Sequence, residues 1–147
     1  MTPEGRRYAG RMSDWNDKII EEFRANGGKV GGDFEGAPLL LLHSTGAKSG
    51  QVRVSPMMYR QVDGRWAVFA SNDGMDLNPA WYHNLKANPE AAIEVGSDTV
   101  EVTARELTLE ERDPVWQQQK EQYSGFADYE QKTDRVIPVV LLTPRQA

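Results

Sequence analysis

The chain has 147 residues, 39% of them hydrophobic, and a formal net charge of −5. This size fits one domain with one core, and the acidic balance argues against general nucleic-acid binding. The absence of cysteine excludes disulfides, thiolate nucleophiles and thiolate metal sites. The longest apolar run, Leu39 to Leu42, is too short to span a bilayer, and no N-terminal stretch resembles a signal peptide, so we expect a cytoplasmic protein.

The N-terminal part of the sequence predicts an arm followed by a helix. Residues 1–12 are predicted to form a flexible arm or a short helix, and residues 13–147 a single domain. The arm carries Arg6, Arg7 and Arg11, and peripheral membrane contact through it stays an open alternative. Ser13 is suited to cap a helix that ends near Asn26, before a pair of glycines.

Six segments of the remaining sequence are predicted to be strands. Their bounds are 38–44, 51–61, 65–71, 91–96, 99–108 and 136–142. The first is nearly all apolar, so both of its faces are expected to be buried. Asp63 and Gly64 form a strong hairpin-turn signal between the second and third strands. Strands joined by hairpins imply an antiparallel sheet, which most simply closes into a barrel.

Three helices are predicted among and after the strands. Asn78 and Pro79 have the order expected of an N-cap and a first helical residue. Thr108 and Glu111 have the spacing of a capping box, and Pro114 indicates that the helix they begin kinks or restarts, with its preceding aspartate as the new cap. A short helical segment follows, before the last strand.

Charge is unevenly distributed around the first two predicted strands. From Gly36 to Val62 there is no Asp or Glu, yet Lys48, Arg53 and Arg60 are present. A positive segment in an acidic protein can concentrate an anionic ligand. Strands are also poor in acidic residues for conformational reasons, so composition leaves both interpretations open.

A glycine-rich turn and the strand after it have the pattern of an anion-binding site. Side chains alternate along a strand, so Gln51, Arg53 and Ser55 share one face, and the valines between them are expected to face the core. The turn adds Lys48, the Ser49 hydroxyl and backbone N–H groups, which can surround a phosphate or carboxylate. The alternative is a hairpin whose polar face is simply solvated.

Other suggestive patterns fail on spacing. The stretch from Gly27 to Gly32 looks like a dinucleotide-binding loop, but Lys29 occupies a glycine position and a helix, not a strand, comes before it. His43 and His83 lie on different predicted elements, and no other ligand has the spacing of a metal site. We therefore expect no metal.

Taken together, these segments resemble the deazaflavin-dependent nitroreductase family, whose members use coenzyme F420. The likeness runs from about Asp17 to Leu142. Its matching stretches are Gly27-Gly28, Thr45 to Pro56, Asn78 to Pro89, Val102 to Arg105 and Asp134 to Val140. The resemblance implies an α+β fold: a split antiparallel β-barrel of the FMN-binding type, with about six strands and flanking helices.

The resemblance also implies roles for individual residues. The family's turn and strand hold the phosphate and glutamyl tail of the cofactor, a role that carries over to Lys48, Ser49, Gln51 and Arg53. Further cofactor-lining positions correspond to Pro56, Ala70, Ser71, Trp81 and Asn84. Aromatic residues on the substrate side correspond to Tyr123, Phe126 and Tyr129. As the catalytic group we expect Ser71 or Tyr129 to donate a hydrogen bond to the developing oxyanion or nitro oxygen.

The activity implied by the resemblance is hydride transfer from reduced F420 to quinones, nitroaromatics, or enone and lactone rings such as coumarins. An FMN-dependent reductase or oxidase of the same fold and a non-catalytic F420 carrier remain alternatives. The expected partner is a small-molecule substrate, and the chain is expected to be a monomer or a homodimer. One departure from the family stands out: relatives often have Lys-Gly-Gly where this chain has Asn72-Asp73-Gly74.

Overall fold

The computed structural model describes residues 17–31 and 36–145, so the predicted arm and the predicted cap at Ser13 lie outside the described residues. Within these ranges the strands are β1 (Leu39–Thr45), β2 (Val52–Val62), β3 (Arg65–Phe69), β4 (Glu90–Val95), β5 (Asp98–Glu106) and β6 (Val139–Pro144). The helices are α1 (described over residues 17–25), α2 (Ala80–Ala87), α3 (Leu109–Gln122) and α4 (Gly125–Gln131), with a 3-10 turn at Asn72–Gly74.

The six strands close into an antiparallel barrel in the order β1-β2-β3-β6-β5-β4, which confirms the predicted fold. The hairpin between β2 and β3 turns at Asp63 and Gly64, whose φ angles of 50° and 77° are both left-handed. Aspartate and glycine tolerate that conformation, and a turn of this kind matches the twist of the strands it joins. The dipeptide therefore fixes the register of the hairpin, as its sequence predicts.

The barrel interior and its outer faces bury separate groups of apolar side chains. Leu40 and Leu42 of β1 point inward and pack in one cluster with residues of β3, β4, β5 and β6. Leu39 and Leu41 point outward and are covered by Phe23 and its neighbours on α1. Both faces of β1 are therefore buried, as predicted, because one faces the core and the other a helix.

A second outer cluster holds α3 and α4 against β3 and β6. The ring of Phe126 on α4 lies 5.4 Å from Phe69 and 6.1 Å from Trp116, measured between centroids. All three rings are buried. Aromatic contacts at these distances add to the free energy of burial, so Phe126 helps to anchor α4.

Helix α3 begins as predicted and continues through the position where a kink or a restart was expected. Thr108 and Glu111 form both hydrogen bonds of a capping box. The helix then runs through Pro114 without interruption, so the expected restart is wrong. The side chain of Asp113 is paired with Arg112 at 2.7 Å, and Arg112 also donates to the carbonyl of Ile137 at 2.8 Å. The contact of Arg112 with Ile137 holds the first part of the helix, before the proline, against the segment that leads into β6.

The start of α2 also differs from the prediction. The N-cap is Pro79, not Asn78, and no side chain caps the helix. The Asn78 amide oxygen instead accepts a hydrogen bond of 2.6 Å from the Arg135 guanidinium. A charged donor competes successfully with a backbone N–H for this oxygen because charge-assisted hydrogen bonds are the stronger ones.

Candidate cofactor-binding site

A cleft of about 1170 Å³ opens at the end of the barrel where β2 begins. The turn between β1 and β2 forms one wall, and residues of α1 and α2 form the others. Five residues expected at a cofactor site line this cleft: Lys48, Ser49, Arg53, Trp81 and Asn84. Lys48 belongs to the turn and Arg53 to β2, and both line the same cleft.

The turn over residues 46–51 is closed by hydrogen bonds of its own. The N–H of Gly46 donates to the carbonyl of Gln51 at 2.8 Å, and the N–H of Gly50 donates to that of Gly46 at 3.0 Å. Gly50 has a φ of 72°, which favours glycine. The Ser49 Oγ accepts from the N–H of Gln51 at 3.1 Å, so its own O–H proton remains available to a ligand.

Helix α2 contacts the turn through Asn84. Its Oδ1 accepts from the N–H of Ala47 at 3.0 Å, and its Nδ2 donates to the Oγ of Ser44 at 3.2 Å. Asn84 and Ser44 are both buried. Asn84 therefore lines the cleft while its amide is engaged with the protein itself.

The alternation along β2 is confirmed, but the expected assignment of its faces is wrong. Arg53 lies opposite Ser44, and Ser55 lies opposite Leu42. Cross-strand partners share a face, so Arg53 and Ser55 are on the interior side of the barrel, at its open end. The valine faces are not in the barrel core: Val52 is 62% exposed, and Val54 packs under α1.

Arg24 of α1 is a cleft residue that the sequence analysis missed. Its guanidinium makes two hydrogen bonds to the Glu94 carboxylate, at 2.9 and 2.6 Å. His43 Nε2 lies 2.6 Å from the same carboxylate. The hydrogen bond from Arg24, with help from His43, lowers the pKa of Glu94 to about 2. Arg24 lies one helical turn after Ile20, another cleft residue, but no sequence signal shows that this face of α1 reaches the cleft.

The charges in the cleft favour an anion. Among its described lining residues are three cations, Arg24, Lys48 and Arg53, and one acid, Asp17. Apolar surface comes from α1, the valines of β2 and Trp81. The volume suffices for a cofactor-sized molecule. Cationic donors beside an apolar aromatic wall fit the chemistry of F420, which joins an anionic tail to a flat ring.

Two other predicted cofactor positions lie near the cleft but do not line it. The chain leaves β3 toward the barrel end where β2 begins, which brings Ala70 and Ser71 to that end. Both are buried, and Arg135 donates to their carbonyl oxygens at 3.0 and 3.1 Å. Gln51 and Pro56 are likewise outside the cleft lining, and Pro56 faces the same side as Leu41.

The predicted catalytic residues Ser71 and Tyr129 belong to neighbouring elements. Ser71 begins the 3-10 turn, and α4 packs against that turn at Gly74. A Cβ atom at Gly74 would be 3.0 Å from the Tyr129 carbonyl oxygen, which measures how closely the two segments approach. The fold therefore brings both residues toward the same part of the barrel.

The three aromatic residues predicted on the substrate side are not gathered in one cavity. Phe126 is buried in the outer cluster, and the ring of Tyr129 packs edge-on against it at 5.6 Å. Tyr123 lines a separate groove of about 340 Å³ with Tyr59 and Arg60. All three side chains nevertheless pack in or against the second outer cluster, with Phe126 at its buried centre.

Metal-binding groups and membrane-spanning helices are both absent from the part of the chain that the structure describes. Within residues 17–31 and 36–145 no three His, Cys, Asp or Glu residues are grouped so as to hold a metal ion. None of the described helices is long and apolar enough to cross a membrane.

A six-stranded antiparallel barrel with a cleft at one end, lined by Arg24, Lys48 and Arg53, has the architecture of the split-barrel proteins. The family model of F420H(2)-dependent quinone reductases matches residues 15–144. The chain belongs to that family, and it is therefore an oxidoreductase of a group whose hydride donor is reduced F420. The expected resemblance to F420-using enzymes is confirmed.

Individual relatives agree with this assignment. An F420H(2)-dependent quinone reductase of Mycobacterium tuberculosis is 39% identical over 127 residues, which are 84% of this chain and 85% of that protein. The structure of an F420-H2 dependent reductase, FDR-A, is 42% identical with a TM-score of 0.66, covering 71% of this chain and 93% of that one. A structure described as a domain-swapped dimer is 38% identical with a TM-score of 0.68, covering 88% and 98%.

Proposed function

We propose that this protein binds reduced F420 in the cleft at the start of β2 and reduces quinones by hydride transfer. The single observation that carries the proposal is the convergence of Lys48 and Arg53 on one cleft, beside the turn that bears Ser49. Family membership supplies the reaction class, and the cleft supplies a site with the right charge and size.

The phosphate and glutamyl tail are assigned to the cationic wall. Arg53 can grip an oxyanion with two parallel N–H groups, whereas Lys48 acts as a point charge. The Ser49 hydroxyl adds a neutral donor on the turn between them. Arg24 is added to the set that the sequence predicts, because it lines the same cleft. Its hydrogen bonds to Glu94 use Nε and Nη2, which leaves Nη1 for the ligand.

The flat ring is assigned to the apolar wall. Trp81 is half-buried at the cleft and packs on the barrel core, so its ring offers a fixed surface for stacking. Ile20 and Val54 extend this apolar surface from the other side. When bound, reduced deazaflavin supplies the hydride. The protein residues bind and orient the two reactants and exclude water from them.

Ser71 and Tyr129 remain our candidates for donors to the oxygen on which charge develops. A hydroxyl placed within hydrogen-bond reach of that oxygen stabilises the transition state more than the ground state. The approach of α4 to the 3-10 turn supports the pairing, because it holds both segments at the cleft end of the barrel.

Substrate range and cofactor identity are tested together. Titration with F420 and with FMN should give tight binding of F420 only; tight binding of FMN alone would reassign the cleft. Loss of reduced-cofactor absorbance should follow addition of menadione. Nitroarenes and coumarin-type lactones form the wider proposed substrate set and are tested in the same assay. Binding of F420 without turnover of any of these compounds would favour a carrier.

We also propose that the chain forms a homodimer. The support is the relative described as a domain-swapped dimer, which this chain matches over 98% of that relative's length. Light scattering coupled to size-exclusion chromatography should give twice the 16.5 kDa chain mass. A mass of 16.5 kDa at assay concentrations would contradict the homodimer and mean that the monomer binds the cofactor.

A further inference from the structure

Ser44 is fully buried, yet it is connected to the anion-binding turn through one side chain. Its Oγ accepts a hydrogen bond of 3.2 Å from Asn84 Nδ2, and Asn84 Oδ1 accepts one of 3.0 Å from the N–H of Ala47. Ala47 is the residue before Lys48. Because none of the Ser44 surface is exposed, its side chain cannot touch a molecule in the cleft.

The donor and acceptor roles in this chain of hydrogen bonds are fixed. The N–H of Ala47 can only donate, so Asn84 must present Oδ1 to it and turn Nδ2 toward Ser44. Replacing Ser44 by alanine leaves this buried Nδ2 without its acceptor. A buried polar group that loses its partner pays its desolvation cost, and the amide gains by leaving its present orientation.

The bond from Ala47 to Asn84 ties the tip of the turn to α2. The bonds between Gly46, Gly50 and Gln51 close the turn on itself but do not fix it relative to α2. Ser44 also lies directly opposite Arg53 in the ladder between β1 and β2. One buried pair, Ser44 and Asn84, therefore lies behind both cations of the proposed site.

We propose that Ser44 and Asn84 are positioning residues that set the affinity for the anionic part of F420 from behind the turn. The inference rests on the proposed function, and it assigns Asn84 an indirect role in place of direct contact through its amide. Without the pair, the turn keeps its internal hydrogen bonds and the link from Asn88 Nδ2 to the carbonyl of Thr45 at 3.4 Å, but its tip at Ala47 is no longer held by α2. Lys48 and Ser49 then spend less time in the geometry that holds the tail, which raises the dissociation constant.

The test compares Ser44→Ala and Asn84→Ala with the natural protein by titration with F420. We expect each variant to weaken binding about five- to tenfold, the effect of losing one net hydrogen bond. For Ser44→Ala, the KM for reduced F420 should rise equally, while kcat at saturating cofactor stays unchanged because the buried Ser44 side chain does not touch the cofactor. Hydrogen exchange without cofactor should be faster at the amide of Ala47.

Thr108→Ala is the matched control for a general loss of stability. Thr108 caps α3, away from the cleft, so its loss should lower the melting temperature without changing F420 affinity or exchange at Ala47. Equal weakening of binding by Thr108→Ala would overturn the inference, as would unchanged affinity in Ser44→Ala. If the natural protein itself fails to bind F420, the proposed function fails. If Asn84→Ala does not fold, Ser44→Ala alone decides.

Discussion

Replacing Arg53 by glutamine removes one of the cations assigned to the F420 tail. A hydrogen bond to a charged group contributes about 1.5–3 kcal/mol. Arg53 is exposed at the mouth of the cleft, where solvent and salt weaken electrostatic interactions, so we expect the lower end of that range. A loss of about 1.5 kcal/mol corresponds to roughly tenfold weaker binding of F420.

The assay is a fluorescence titration of F420 at several salt concentrations. Arg65→Gln is the matched control, because it removes the same charge from an exposed arginine outside the cleft. We expect tenfold weaker binding and a shallower salt dependence for Arg53→Gln, and neither change for Arg65→Gln. Equal effects of the two variants would mean that overall charge, not this site, attracts the cofactor. Unchanged affinity in Arg53→Gln would remove Arg53 from the site.

Three further predictions address other parts of the molecule. Tyr129→Phe should lower turnover of menadione more than F420 affinity; the reverse result would place Tyr129 on the cofactor side. Arg24 holds the pKa of Glu94 at about 2, so Glu94 stabilises the fold above pH 4.5 and this contribution is lost as the pH falls toward 2. Between pH 4.5 and pH 2, the melting temperature of Glu94→Gln should therefore fall less than that of the natural protein. Thr108→Ala should lower the free energy of unfolding by about 1 kcal/mol in urea titrations, and no loss would exclude a stabilising capping box.

Local sequence signals predicted the antiparallel sheet because two of its hairpins, β2–β3 and β4–β5, turn within two residues. Asp63 and Gly64 define a hairpin without reference to any distant residue. The capping box of Thr108 and Glu111 is similarly complete within four positions. Continuous apolar sequence in β1 predicted burial on both faces, although it could not say which element covers the outer face.

Features that depend on distant contacts were not predictable from these signals. Arg24 enters the cleft only because α1 packs across the outer face of β1 and β2. Asn78 has the sequence of an N-cap, but Arg135, 57 positions later, takes its amide oxygen. The faces of β2 alternate as expected, yet which face lines the barrel follows from the pairing of Arg53 with Ser44. The sequence period predicts that the side chains alternate, but only the strand pairing in the closed barrel shows which face points inward.

The departure at Asn72 is explained by the loop in which it lies. Asn72 has a φ of 47°, a conformation that asparagine tolerates better than most residues, and its Nδ2 donates to the carbonyl of Leu77 at 2.9 Å. The side chain thus closes the loop in front of α2, while Arg135 binds the carbonyls of Met75 and Leu77. A lysine here would add a cation but lose this closure. The proposed site thus has its cations on the turn, on β2 and on α1, where Arg24 is also paired with Glu94, and the loop at Asn72 adds none.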